Sequence, residues 1–305
     1  MTKLPAFFNI KNGIVFILFG MFFLTIVLTL QHPVASTPAL VRQSGIGLIE
    51  INGPIAFETA RRAFSPTGAT HTLAQIEKLR QDMSVKGVLV RINSPGGTVG
   101  ASQEIYNALR HLKTDRDIPV YVSIGDMGAS GAYYVALAAD AIFANPGSLV
   151  GSIGVLIGSI NFSDLAETHG VSMNLYKSGP YKDILSGWRD ATDAESTLLN
   201  QMVKDVHEQF VSAVTLARGL DESVTRELAQ GQIYTGRTAK SVNLVDQLGG
   251  QREALASLAA LVGIKGNPNI IRKDDVNLGS FLSLWKDQMG MQLSDLIIPR
   301  LMVTF

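Results

Sequence analysis

The chain has 305 residues, 46% of them hydrophobic, and its 26 basic and 26 acidic side chains cancel to a formal net charge of zero. A chain of this size and composition buries a large core, and its interspersed charges offer no basic face to a nucleic acid. The absence of cysteine excludes disulfides, thiol catalysis and Cys-ligated zinc, and the five histidines (His32, His71, His111, His169, His207) show no metal-ligand spacing.

Residues 1–12 carry Lys3 and Lys11 and precede Gly13 to Leu30, an uncharged, almost wholly apolar run of 18 residues. That length suits a crossing of ~30 Å of hydrocarbon. The lysines before it place the N-terminus in the cytoplasm and the rest of the chain outside. A cleaved signal peptide is the competing reading, because Val34-Ala35-Ser36 offers a small-residue site. Residues 31–44 read as a Pro-containing linker and residues 45–265 as one domain.

Within that domain Gly45 to Ile55 reads as a first strand, Phe57 to Thr72 as a surface loop, and Leu73, Ile76, Leu79 and Met83 as one face of a helix. Gly87 to Ile92 is a β-branched run, Ser102 to Lys113 is helical with Ile105, Leu109 and Leu112 on one side, and Ile118 to Ile124 is the next strand. This alternation predicts an α/β domain with a largely parallel sheet, whose ligands sit outside the carboxyl ends of the strands. No internal repeat is present.

The stretch after Ile124 organises the rest. Asp126 to Tyr134 sets Ser130 among residues too small to cover it, between a strand and an Ala-rich helix running to Asp140. Ser130 reads as a nucleophile on a tight turn, with unpaired N–H groups and a helix dipole ready to hold an oxyanion. The competing reading is a serine N-cap in a close-packed turn. Asn93-Ser94-Pro95-Gly96-Gly97 follows the preceding strand, so Gly97 is a natural partner for the N–H of Gly131 in an oxyanion hole, although the same loop also suits an ordinary turn.

Downstream come a short strand, Ala141 to Ala144, and then Ser148 to Ile160, in which Ser152 stands among Val150, Ile153 and Val155. Val171 to Tyr176 is another strand candidate and delivers Lys177 to Asp183. Thr192-Asp193-Ala194-Glu195 is a capping box opening a long helix, whose stripe of Leu198, Met202, Val206, Phe210 and Val214 reads as core. A shorter helix starts at Asp221, Ile233 to Leu248 lead to Gly249-Gly250, and a further helix runs through Leu261. Residues 266–305 form an amphipathic extension that suits packing on the domain, on a second copy or on a membrane surface.

Arg91 to Gly97, the serine stretch with Tyr133-Tyr134, Gly151-Ser152-Ile153-Gly154-Val155, Gly179 to Lys182, and Tyr234-Thr235-Gly236 with Leu244-Val245-Asp246 together resemble the signal peptide peptidase A family, serine peptidase family S49, in its short single-domain form. They occur in the family's order over about residues 45 to 260. The resemblance implies a ClpP/crotonase-like fold of repeated β-β-α units behind one transmembrane helix, and a serine endopeptidase with a Ser-Lys dyad. Motif by motif it makes Ser130 the nucleophile, Lys182 the general base, Gly97 and Gly131 the oxyanion-hole donors and Ser152 a lysine-orienting residue. No metal or organic cofactor is expected. The implied setting is a cell inner membrane with the peptidase domain on its outer side. The implied substrates are remnant signal peptides and other apolar peptides, and the implied assembly is a homo-oligomer such as an octamer.

The chemistry of the residues is compatible with these roles. A serine hydroxyl needs a base, no histidine lies in the motifs, and a lysine amine serves only when brought down from ~10.4 toward neutrality by burial. Tyr181, Ile184 and the apolar run before Lys177 are candidates to bury it. Read alone, Lys182 also suits a solvated surface lysine, and Lys177 is a second candidate base. Three departures from the family pattern stand out: Gly131-Ala132 where a glycine pair is usual, Gly187-Trp188 where proline and phenylalanine are common, and Asn243 in place of a glycine. Rival readings are the related envelope peptidase SohB, a crotonase-type acyl-CoA enzyme, and a catalytically silent membrane scaffold.

Overall fold

The computed structural model describes residues 43–57 and 68–273. The expected membrane anchor at 13–30 and most of the C-terminal extension lie outside the described residues.

Eight strands build one sheet in the order β6-β5-β3-β2-β1-β8. The strands are β1 (Gly45–Asn52), β2 (Val85–Ser94), β3 (Val120–Ala129), β4 (Ala141–Ala144), β5 (Leu149–Gly151), β6 (Ile233–Thr235), β7 (Gln247–Leu248) and β8 (Asn269–Ile271). β4 branches off to pair with both β3 and β7. Every pairing is parallel except β5 with β6. A parallel strand pair needs a crossover, and the helices supply it. Thus α1 (Ala69–Gln81) joins β1 to β2, α2 (Val99–Arg116) joins β2 to β3, and α3 (Gly131–Ala136) joins β3 to β4. The remaining helices are α4 (Ser163–Thr168), α5 (Asp193–Arg218), α6 (Glu222–Leu228), α7 (Gly236–Ser241) and α8 (Gln251–Leu261).

Side chains of a strand alternate between its two faces, and the core divides accordingly. Ile49 and Ile51 of β1, Val88, Val90 and Ile92 of β2, and Val120, Val122 and Ile124 of β3 join the larger cluster with Leu79, Ile105, Leu109, Tyr133 and Phe210 from the helices. Ile46 and Leu48 with Leu89 turn the other way and pack on Ala254 and Leu258 of α8. The central strands are therefore covered on both sides, which is why they read as continuous β-branched runs.

Two sequence expectations change here. Val171 to Tyr176 forms no strand, and its residues are exposed; no described segment lies alongside to satisfy a ladder. The stripe on α5 is core only toward its C-terminal end, where Phe210, Val211 and Val214 are buried, whereas Leu198 is 39% and Met202 50% exposed. The sheet also takes in residues 269–271, since β8 pairs with β1.

Candidate active site

β3 runs five residues beyond Ile124. It pairs with β4 as far as Ile124 and then with β5 from Met127 to Ala129, so it bends where it changes partner. Its register against β2 slips between Ile92↔Ile124 and Ser94↔Gly128. Asn93 fills that bulge: its Oδ1 accepts the Met127 N–H at 3.2 Å and its Nδ2 donates to Asp126 at 3.2 Å. The Ser148 hydroxyl donates to the Gly125 carbonyl at the bend. The far end of β3 is thereby aimed at the open carboxyl edge of the sheet, and Ser130 is the next residue.

Ser130 has φ 53° and ψ −127°, a conformation that L side chains rarely adopt. Its N–H donates to the Gly151 carbonyl at 2.8 Å, and its own carbonyl accepts the Tyr134 N–H at 3.0 Å. It occupies the N-cap position of α3, yet its hydroxyl makes no capping bond. The N-cap reading therefore does not hold, and the hydroxyl is left for other work.

The loop of Gly96 and Gly97 faces this serine. It is pinned to the end of β1, with the Ile55 N–H donating to Gly96 at 2.8 Å and the Thr98 N–H donating to Ile55 at 2.8 Å. A Cβ on Gly97 would collide with the Ile55 carbonyl, and one on Gly131 would overlap the Ser102 hydroxyl and lie 3.2 Å from the Gly97 nitrogen. Neither the Gly97 nor the Gly131 N–H donates to an acceptor among the described residues. Two unspent donors thus stand on either side of one serine, as an oxyanion hole requires.

A groove of about 620 Å³ opens in front of Ser130, lined among others by Gly97, Ser152, Val155, Val203, Lys204 and His207. A smaller pocket of about 40 Å³ adjoins it, walled by Val99, Tyr134, Val155, Val206 and Phe210. Burial first, and then the neighbouring Tyr106, push the Tyr134 phenol above its ordinary range, so this wall stays neutral. Ser152, at φ 50°, is held by its N–H to the Gln232 carbonyl at 2.8 Å. The structure thus gathers Ser130, Gly97, Gly131 and Ser152.

It does not gather Lys182. That residue is exposed and lines neither cavity at Ser130. The burial expected from its neighbours is not supplied, because Tyr181 is itself exposed and Ile184 only half-buried. Lys182 sits on an arm, residues 154–192, that carries Leu156 at 88% and Tyr176 at 94% exposure. The two candidate lysines nevertheless differ. The Lys177 amine is engaged by Asp183 at 2.7 Å, whereas the Lys182 amine makes no bond among the described residues. Sequence reasoning missed Lys204 and His207. Both lie on α5 beside the stripe of Leu198, Met202 and Val206, and the three- and four-residue steps from Asn200 to Val203 to His207, one helix face, were the available signal.

The chain is similar to known proteases. The model of peptidase family S49 matches residues 112–265, and that of Clp protease matches residues 61–148. Over 239 residues the chain is 36% identical to a provisionally named signal peptide peptidase SppA of Enterococcus faecium, covering 78% of this chain and 69% of that one. Over 231 residues it is 38% identical to a provisionally named protease of Synechocystis sp., covering 76% and 78%. Protease 4 of Salmonella typhi is 36% identical over 203 residues, which are 65% of this chain and 32% of that protein. A mostly parallel α/β sheet, a serine on a strained strand-to-helix turn and these matches lead to one assignment: the chain belongs to peptidase family S49 and is a serine protease.

Proposed function

We propose that this chain is a membrane-anchored endopeptidase that degrades remnant signal peptides and other apolar peptides on the outer side of a cell inner membrane, with Ser130 as its nucleophile. The observation that carries this reading is the Ser130 hydroxyl, unspent on a strained turn beside the free N–H groups of Gly97 and Gly131. Ser130 Oγ bonds to the scissile carbonyl carbon as its proton passes to the Lys182 amine. The oxyanion is held by the two glycine N–H groups. The amine then returns the proton to the leaving nitrogen, and water, deprotonated in turn, releases the acyl group. Ser152 lines the same groove and orients the amine.

The groove of one chain lacks the lysine, and the arm that carries it exposes a run of apolar side chains. Association of copies covers that surface and brings Lys182 of one chain to Ser130 of the next, in a closed ring of which an octamer is one form. Apolar contact there also favours the neutral amine. Lys204, which does line the groove, supports a second reading in which it is the base.

The test is cleavage of a fluorogenic apolar peptide. Ser130→Ala and Lys182→Ala are each expected to be inactive, and a mixture of the two, dissociated and reassembled together, to regain activity. Full activity of Lys182→Ala with loss in Lys204→Ala would move the base to Lys204. Full activity of Ser130→Ala would overturn the whole assignment.

A further inference from the structure

The arm has little apolar packing of its own, yet a general base must be placed to within a fraction of an ångström. Beyond the edge-on contact of Trp188 with Phe162 at 4.8 Å, what orders the lysine segment is polar. Asp183, directly after Lys182, is only 9% exposed, and its carboxylate accepts Arg189 Nε and Nη2, each at 2.7 Å, together with Lys177 Nζ at 2.7 Å. The other edge of the Arg189 guanidinium grips Glu195, with Nη1 at 2.9 Å and Nη2 at 2.6 Å. Glu195, 2% exposed, also accepts the Thr192 N–H at 2.8 Å and closes the capping box of α5. Further along, α5 supplies Asn200, Val203, Lys204 and His207 to the lining of the Ser130 groove.

We propose that Asp183, Arg189 and Glu195 form a positioning clamp for Lys182, tying the segment that carries the base to the helix that walls the groove. The proposal rests on the reading of Lys182 as the base. A guanidinium that holds two near-buried carboxylates on two edges fixes orientation as well as distance, which a lysine at the same place could not do. The clamp has a second, chemical effect. A free carboxylate beside Lys182 would pair with its ammonium and hold the proton on it. Arg189 and Lys177 occupy Asp183 instead, and Arg189, with the α5 cap, likewise occupies Glu195. Their hydrogen bonds to Arg189, joined for Asp183 by Lys177 and for Glu195 by the Thr192 N–H, keep both carboxyls below the ordinary carboxylate range. The charged groups of this part of the arm and the joined helix end are Lys177, Lys182, Asp183, Arg189, Asp190, Asp193 and Glu195.

The test uses the full-length chain in detergent with a fluorogenic peptide. Arg189→Gln and Arg189→Lys are expected to lower kcat by about 10²-fold, the cost of a misplaced catalytic group, with KM little changed. The alkaline rise of kcat is expected to move to higher pH in these variants, where Asp183 has lost Arg189 and is left beside the lysine. Added guanidinium is expected to restore part of the rate to Arg189→Ala. Wild-type kcat and pH profile in Arg189→Gln would overturn the clamp, and so would a loss that tracks a lowered melting temperature and altered assembly without guanidinium rescue. Lys182→Ala run in parallel separates the two claims: if that variant stays active the base assignment fails, and if it is dead while Arg189→Gln is fully active only the clamp fails.

Discussion

The backbone N–H of Ser130 donates to the carbonyl of Gly151 at 2.8 Å, and this bond ties the serine turn to β5, the strand that ends beside Ser152. It helps hold Ser130 at a φ of 53° that a serine would not choose. Such a conformation costs about 1–3 kcal/mol and is stored at the site.

Glycine adopts that conformation freely but loses about 0.5–1 kcal/mol of chain entropy relative to alanine. Ser130→Gly is therefore expected to be more stable than Ser130→Ala by roughly 1 kcal/mol, both being inactive. Urea denaturation of the two variants checks this, and a glycine variant less stable than the alanine one would show that the turn is not strained.

A side chain at position 131 has nowhere to go, because its first carbon would overlap the Ser102 hydroxyl and crowd the Gly97 nitrogen. Gly131→Ala is expected to lower kcat by roughly 10²-fold, as loss of an oxyanion donor does. Adding Ser102→Ala removes the overlapping atom and should recover part of that loss. Steady-state kinetics of the single and double variants decide it, and equal rates in the two would place the effect elsewhere.

Acid should loosen the start of α5. Hydrogen bonds from Arg189, and then from the Thr192 N–H, lower Glu195 from its ordinary 4.5 to about 2. A carboxylate with a depressed folded pKa contributes stability that is fully present above 4.5 and is lost as the pH falls toward 2. Melting temperature followed from pH 5 to pH 2 is expected to decline less steeply in Glu195→Gln than in the wild type. Parallel curves would remove Glu195 from the acid response.

Tyr133 is fully buried and donates its hydroxyl to the Leu244 carbonyl at 2.8 Å, linking α3 to the segment before β7. Burial pushes its phenol well above the ordinary range, so it stays a neutral donor at all working pH values. Tyr133→Phe leaves that carbonyl without this donor and is expected to cost about 1–2 kcal/mol, with kcat close to wild type. Thermal unfolding and a peptide assay on the same preparation measure both.

The sheet and the serine turn were legible in the sequence because their signals are local. Val88, Val90 and Ile92 announce a buried strand, and a serine among Gly and Ala announces a crowded turn. The bend of β3 was not legible, since it depends on a change of strand partner from β4 to β5 that no periodicity records. Val171 to Tyr176 misled for the converse reason: its alternation of Val171, Met173 and Leu175 with Ser172 and Asn174 has a strand's period, but such a segment becomes a strand only where a neighbouring strand meets it. Lys182 was singled out by its motif, but the burial expected of it was not legible there, since a short apolar neighbourhood in sequence, Tyr181 and Ile184, does not fold over the amine.

The placement of Lys182 outside its own groove has a consequence for control. Under the proposed reading, an isolated chain holds a nucleophile and an anion hole but no base within reach, so it is chemically idle while it is synthesised and delivered. Its rate would then climb more steeply than its concentration, and encounter between copies would serve as the safety catch that other proteases build from a cleavable prosegment.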